Sequence, residues 1–361
     1  MLALRKIILT RFKNYTLQTF SFNQKVIGIC GPNGLGKTNL LDAIYYSCFT
    51  KSYFTAADSL NVKYNENGFR IETVFQFQND THKVVCINRL DSKKEFFHDD
   101  VLYEKLSKHI GTYPAVMIAP DDIAIINDGS DGRRKYLDTM LCVIDAEYLQ
   151  SLVVYNKVLQ QRNSLLKSMA TNRSKETALL EVLDSQLIIP AQLIYNKRKI
   201  FAETLLPMVV EFYRKISGTN DTIEIHYESH LQKESFDQTL RLNREKDIIL
   251  QRTQFGIHRD DLAFSFENGP FKSMASQGQK KSLLFALKLS EFESIKMNKG
   301  FPPLLLLDDV FEKLDEQRMS NLLKWVCVEN DGQVFITDTH KGRLKTALQN
   351  ISVDTEIIEL S

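Results

Sequence analysis

The sequence predicts an α/β domain assembled from both ends of the chain, with a mainly helical insertion between them. Three observations carry that reading. A short apolar strand, "VIGIC", runs directly into the glycine-rich segment Gly31–Thr38 and then a helix. A second apolar strand, far downstream in "PPLLLLDDVF", ends in paired carboxylates. Between them, from about Gly132 to Ser217, leucines recur at helical spacing.

Composition sets the bounds. At 361 residues and 43% hydrophobic, the chain can bury a core for two domains or one elaborated one. With 25% charged residues it reads as an ordinary soluble protein, and no stretch reads as the ~20 apolar residues of a membrane span. "MLALRKIILTRFKNY" has no apolar signal-peptide core, so a cytoplasmic protein without a membrane partner is expected. Five scattered cysteines without a C-x-x-C pair suit reduced thiols in a cytosol rather than a disulfide scaffold or a zinc site. A formal net charge of +1 excludes a polycation, so nucleic-acid contact would need local patches. The richest window, residues 151–200, carries eight Lys/Arg against three acids. Lys197, Arg198 and Lys199 are the first candidates for such a patch, and the paired Arg133 and Arg134 the next. The window also suits a solvated helix face, and the arginine pair could instead support a domain junction.

The elements follow in order. "KIILTRF", "YTLQTFSF", "KVIGIC", "GFRIETVFQFQ" and "HKVVCINRL" alternate as strands, with one helix at about Lys37–Cys48. Helical periodicity runs from Leu137 through Leu166, Leu187 and Phe212, with Pro190 and Pro207 expected to kink or divide it. Strand texture returns near Thr222–Glu228 and Leu262–Phe266. A helix over about Gln279–Met297, the strand "PLLLLDDV", a helix to about Val328 and a last strand "QVFITD" complete the chain. The predicted division is an N-terminal part over 1–120, an insertion over 121–220 and a C-terminal part over 221–361.

Gly31, Pro32, Asn33, Gly34, Leu35, Gly36, Lys37 and Thr38 fill G-x-x-x-x-G-K-[ST] in the strand–loop–helix context that motif requires. Glycines let backbone N–H groups curl around phosphate oxygens, and the helix start aims its positive dipole end at them. Lys37 would reach the β- and γ-phosphates of ATP, and Thr38 would ligate Mg²⁺. Such a loop needs acids nearby. A strand that expels Asp308 and Asp309 at its C-terminal edge sets them where open parallel sheets bind ligands. Asp308 would hold Mg²⁺ through water, and Asp309 would polarise the attacking water.

Ser276-Gln277-Gly278-Gln279 resembles the S-x-G-x signature of the ABC ATPase superfamily, including its SMC and Rad50-like branch. Ser276 lies 32 positions before Asp308, room for one helix and a turn. The resemblance implies an ABC-type P-loop ATPase head in which Ser276 and Gly278 meet a γ-phosphate held by the other subunit, in an ATP-dependent homodimer. Read alone, the run also suits a plain helix cap. "FEKLD" resembles the D-loop, with Asp315 as its acidic end. His340, after "QVFITD", stands where the class keeps a γ-phosphate switch histidine, although a lone histidine at a strand end also suits a structural or merely exposed role.

Over nearly its whole length the chain resembles the bacterial RecF family of recombination mediators. "LTRFKNY", "GPNGLGKTNLLDAIYY", "APDDIAIINDGSDGRRKYLD", "GIHRDDLAF", "SQGQKKSLLFALKLSE" and "LLLLDDVFEKLD" carry the likeness. Departures are Gln279 where Glu is common, Ile257 where Pro is common, and Phe54 where a basic residue is usual. The resemblance implies a weak ATPase used as a switch in DNA replication, recombination, repair and the SOS response. It implies double-stranded and gapped DNA, RecR- and RecO-like mediators and a recombinase as partners. Three rivals share the P-loop. A transporter ATPase subunit is usually shorter between P-loop and signature, which here stand 239 positions apart. An SMC-like organiser needs long coiled-coil arms, and a P-loop kinase has no use for the signature.

Overall fold

The computed structural model describes residues 1–361 apart from 173–176, 219–220, 233–234, 267–268, 311–315 and 350–353. The chain forms two compact units. One holds Met1–Ile123, Glu211–Asn220 and Ser276–Ser361; the other holds Ala124–Val210 and Asp221–Ala275.

The first unit opens with β1 (Leu2–Thr10), β2 (Leu17–Ser21), β3 (Val26–Cys30), α1 (Lys37–Phe49), β4 (Gly68–Phe77), β5 (Asp80–Arg89), β6 (Glu95–His98), β7 (Val101–Leu102) and β8 (Ala115–Ile118). Six of these strands make an antiparallel sheet in the order β2-β1-β4-β5-β6-β7. Phe69, Ile71 and Phe75 alternate along β4 and are buried on one face, which is the period-2 pattern visible in the sequence.

The second unit contains α2 (Ala124–Asn127), α3 (Ser130–Ile144), α4 (Ala146–Asn172), most of α5 (Thr177–Ser217), β9 (Ile223–Glu228), α6 (Phe236–Leu242), α7 (Arg244–Leu250), β10 (Asp261–Phe266), β11 (Gly269–Pro270) and α8 (Phe271–Met274). Residues 221–275, expected with the C-terminal part, pack here instead. The reason is pairing: β9 and β10 run antiparallel over six residues in a sheet of their own with β11.

Neither Pro190 nor Pro207 divides α5, which runs through both for 41 residues. By length and composition α5 could cross a bilayer, contrary to the sequence expectation. Its charges show how it is used within the second unit: Asp184 pairs with the buried Arg162, and Glu181 with Arg244.

The first unit resumes with α9 (Gln277–Lys299), β12 (Leu304–Leu307), α10 (Glu316–Leu323), β13 (Val334–Asp338), α11 (Lys341–Gln349) and β14 (Thr355–Glu359). These complete a five-stranded, wholly parallel sheet in the order β14-β3-β13-β12-β8. Every residue of β3, β8, β12 and β13 is buried, as continuous apolar strands in a parallel sheet should be. The strand β14 lies beyond the one expected to be last. The five cysteines are all free thiols.

The basic run expected on the insertion surface is largely structural. Arg198 is 1% exposed and donates to Asp138 and Asp260, each at 2.7 Å, to Tyr148 at 2.9 Å and to the Ile257 carbonyl at 2.8 Å. Lys197 pairs with Asp145 at 2.5 Å and Glu147 at 2.6 Å. Arg133 forks onto Asp261 at 2.5 and 2.9 Å, and Arg134 donates to the Asp260 carbonyl at 2.8 Å. Of the run 197–199, Lys199 is the exposed member. Removing one partner of a buried ion pair strands the other charge, at about 3–5 kcal/mol. Arg198→Ala should therefore lower unfolding stability in urea by about that amount. Lys199→Glu should stay within about 0.5 kcal/mol of wild type, as surface changes do. Equal midpoints for the two variants would contradict this account.

Candidate active site

The strand β3 ends at Cys30 and hands the chain to a tight loop, and α1 begins at Lys37. Gly36 has a left-handed φ of +102°, and a Cβ there would fall 2.5 Å from Asn14 Nδ2 and 2.9 Å from the Tyr15 hydroxyl. No other residue fits. Tyr15 donates to the Gly36 carbonyl at 3.0 Å, Asn14 donates to the Leu35 carbonyl at 3.0 Å, and Asn39 donates to Asn14 at 2.7 Å. The turn after β1 thus fixes the loop's shape.

Lys37 is buried, with Nζ donating to the carbonyls of Gly31 at 2.7 Å and Pro32 at 3.1 Å. These neutral acceptors hold the ammonium over the loop, and phosphate oxygens are the stronger acceptors that would draw it away. Pro32, Asn33 and Gly34 face solvent at the open side.

Asp308 follows β12 and accepts from the Thr38 hydroxyl at 2.9 and 3.0 Å and from the Thr337 hydroxyl at 2.8 Å. Thr337 stands on β13, the strand between β3 and β12, and Thr38 reaches Asp308 directly across it. Burial lifts the Asp308 carboxyl to about 6, against the two hydroxyl hydrogen bonds that favour its charged form. A buried carboxylate beside a threonine hydroxyl is a donor set that fits Mg²⁺. Thr38 and Asp308 would hold that ion, which when bound neutralises phosphate charge.

Asp309 adopts a left-handed φ of +45°, and its N–H donates to Thr337 at 2.9 Å, so one threonine positions both acids. His340 is exposed. Its backbone N–H donates to Asp338 at 3.1 Å, and among the described residues its side chain makes no hydrogen bond or ion pair. Asp338 itself is held below the usual carboxylate range because Arg343 outweighs the opposing effect of burial. Asp315 lies outside the described residues.

Ser276 caps the 23-residue helix α9. Its hydroxyl accepts from the Gln279 N–H at 3.2 Å, and its own N–H donates to Gln279 Oε1 at 2.8 Å. Glutamine closes this box as well as glutamate does, which accounts for the departure at Gln279. Ser276 stays exposed, and its hydroxyl proton can still be donated. The guanidinium of Arg318, on α10, lies directly over Gly278, where any Cβ would displace it. Phe54 likewise has a cation over its ring, Lys13 at 5.5 Å, which is salt-bridged to Asp42.

The geometry therefore brings Lys37, Thr38 and Asp308 together directly and Asp309 through Thr337. Ser276 and Gly278 sit elsewhere, bonded within their own helix or under Arg318. Sequence reasoning missed Asn14, Tyr15, Thr337 and Arg318. The first two lie in the quoted "LTRFKNY" and Thr337 in "QVFITD", but neither pattern says what a side chain touches.

The RecF/RecN/SMC N terminal domain family matches residues 3–358. The DNA replication and repair protein RecF of Flavobacterium johnsoniae is 38% identical over 357 residues, covering 99% of both chains. The protein of the same description from Bacteroides thetaiotaomicron is 36% identical over 360 residues, covering 99% of this chain and 97% of its own. The chain belongs to the RecF family. A solved structure of the recombination mediator protein RecF-ATPrS in the RecFOR pathway superposes with a TM-score of 0.88 at 30% identity, covering 99% of this chain and 96% of that one. A RecF-ATP structure gives 0.87 at 32% identity, covering 94% and 92%. The Smc head domain of Pyrococcus furiosus, at TM-score 0.56 and 16% identity over 99% of this chain and 93% of its own, shares the fold alone. RecF proteins are DNA replication and repair proteins within a RecF/SMC-like ATPase family, so the transporter and kinase readings fall.

The raised carboxyl of Asp308 has a sign. Without metal, its neutral form is fully favourable below the ordinary carboxylate pKa of about 4, and that contribution is lost as pH rises through about 6. Mg²⁺ requires the charged form. The Mg²⁺ dependence of ATP-analogue binding should therefore weaken as pH falls through about 6, and Asp308→Asn should remove this pH-dependent component. Isothermal titration at fixed nucleotide concentration checks it, and identical pH profiles for mutant and wild type would contradict it.

Proposed function

We propose that this chain is an ATP-driven switch that binds DNA and closes into a homodimer when ATP is bound, with slow hydrolysis resetting it. ATP and Mg²⁺ occupy the loop of one subunit. The signature of the other, with Ser276 exposed and Gly278 beneath Arg318 at the start of α9, meets the γ-phosphate. The observation that carries this is the division of labour within one chain. Lys37, Thr38, Asp308 and Asp309 converge, while Ser276 is exposed and capped on its own helix. A helix N-terminus with a free hydroxyl proton is a phosphate donor set in search of a phosphate.

Within that cycle Lys37 draws charge from the transferring phosphate, and Asp309 orients the attacking water. His340, exposed after β13, senses the γ-phosphate only in the closed dimer. In the cytoplasm the switch would act on double-stranded and gapped DNA, at single-strand/double-strand junctions. There it would help load a recombinase through RecO- and RecR-like partners. Support for these finer roles comes from family membership and from relatives described as acting in the RecFOR pathway.

Asp309→Asn should bind ATP normally, hydrolyse it far more slowly and accumulate as a dimer in size-exclusion runs. That trapped dimer presents two copies of any cationic patch to one duplex. Its DNA affinity should fall more steeply with salt than that of the ADP form, each added phosphate contact adding about −0.9 to the log–log slope. Equal slopes with ATP and ADP would remove dimer closure from DNA binding.

A further inference from the structure

A second cluster of metal-binding chemistry lies in the antiparallel sheet, among residues the nucleotide site does not use. On β5, His82 and Val84 share a face, and β6 places His98 opposite Val84, so both imidazoles stand on the same side of the sheet. Their rings stack at 5.3 Å between centroids. Asp99 follows at once in a turn whose two residues, Asp99 and Asp100, have φ of +47° and +63°. Such a turn favours glycine or asparagine. Here an aspartate accepts the left-handed backbone, and the turn brings its carboxylate back over His82.

The donors are fixed rather than adrift. Asp99 Oδ2 lies 2.8 Å from His82 Nδ1 and 3.5 Å from His98 Nδ1. Its other oxygen accepts the Lys83 N–H at 2.7 Å, and the Asp99 N–H donates to the Lys83 carbonyl at 2.8 Å. His98 Nε2 is 2.8 Å from the hydroxyl of Tyr113, a ring 2% exposed that stacks on Phe75 at 4.2 Å. In the tautomer that donates from Nε2 to this hydroxyl, Nδ1 carries a lone pair and points at a carboxylate oxygen. A cation between them satisfies both, as a proton on Nδ1 does in the other tautomer with Tyr113 donating to Nε2, and a metal displaces that proton when it binds.

We infer that His82, His98 and Asp99 form a binding site for a divalent transition-metal cation of the zinc class. One donor atom from each lies within 4.8 Å of the other two. Ligand atoms ~2.0–2.1 Å from zinc in a tetrahedron sit roughly 3.3 Å apart, so shifts of about an ångström complete the set. Imidazole nitrogens select zinc, copper or nickel over Mg²⁺. Tyr113 and the Lys83 amide supply the outer hydrogen bonds that orient metal ligands. Three protein ligands leave a fourth position open to water or to a donor from another molecule. The bound ion would pin the Asp99–Asp100 turn to β5. The site involves none of the nucleotide-binding residues and stands or falls apart from them.

The test uses the full-length protein stripped of metal by a chelator, with excess Mg²⁺ to satisfy the nucleotide site. Titration with Co²⁺ alone should give visible d–d absorption that saturates near about one equivalent, and Zn²⁺ should bleach it. Asp99→Asn keeps a residue that tolerates the left-handed turn, and Tyr113→Phe removes only the outer hydrogen bond. Each should weaken Co²⁺ binding by about 10-fold or more while leaving ATP-analogue binding unchanged. His82→Ala combined with His98→Ala should abolish it. No saturable Co²⁺ spectrum in wild type, or equal titrations for wild type and Asp99→Asn, would overturn the assignment.

Discussion

The carboxylate of Asp308, shared between the hydroxyls of Thr38 and Thr337, is the interaction on which the nucleotide site depends. It ties the helix after the phosphate loop to the strand that carries the acids, across an intervening strand. The arrangement follows from topology. Placing β13 between β3 and β12 separates the two motifs by a full strand, and the Thr38 hydroxyl meets the Asp308 carboxylate directly across it. Thr337, on the intervening strand, donates to Asp308 and accepts the Asp309 N–H, so one hydroxyl positions both acids. Burial, with the neighbouring Asp309, raises the Asp308 carboxyl despite Lys37, so a bound Mg²⁺ would offset charge that the protein leaves uncompensated.

A different economy governs the second unit. Its interior is organised by arginines rather than by apolar side chains alone. Arg162 and Arg198 are both fully enclosed, one by Asp184 and Asp247, the other by Asp138 and Asp260. The "GIHRDDLAF" segment is where the second network closes. Asp260 accepts from Arg198 and Tyr227, Asp261 accepts from Arg133, and His258 is hydrogen-bonded to Tyr155 at 2.7 Å. Burial holds His258 down at about 4, so it stays neutral near pH 7. This element, which reads like a site motif, is a structural knot.

That contrast explains what the sequence disclosed. Parallel strands such as "VIGIC" and "LLLL" are legible because burial on both faces leaves unbroken apolar runs. The strand β4 is legible because burial on one face leaves alternation. The phosphate loop and its acids are legible because phosphate chemistry restricts residue type and spacing together. Charge is not legible in this way. Lys197-Arg198-Lys199 looks like a surface patch until Asp138, Asp145, Glu147 and Asp260 arrive from distant positions to neutralise its first two members. Asn14, Tyr15 and Arg318 are hidden for the same reason: each matters through one contact made by folding. The strand β14 is hidden because acids interrupt its apolar residues and it is only partly buried, and β8 because no motif adjoins its four residues.

The central claim is that each phosphate loop is completed by the signature of a second subunit. Two variants, one broken in each half, test it by mixing. Lys37→Ala loses its own loop but keeps a sound signature, and Ser276→Arg keeps its loop but presents a cation where the partner's phosphate must dock. Each alone should hydrolyse almost no ATP. In the mixed dimer, the loop of the Ser276→Arg subunit meets the intact signature of the Lys37→Ala subunit. The account predicts that ATPase activity returns on mixing and rises with the concentration of either partner. Activity of the mixture equal to the sum of the two separate variants, with both shown to be folded, would contradict it.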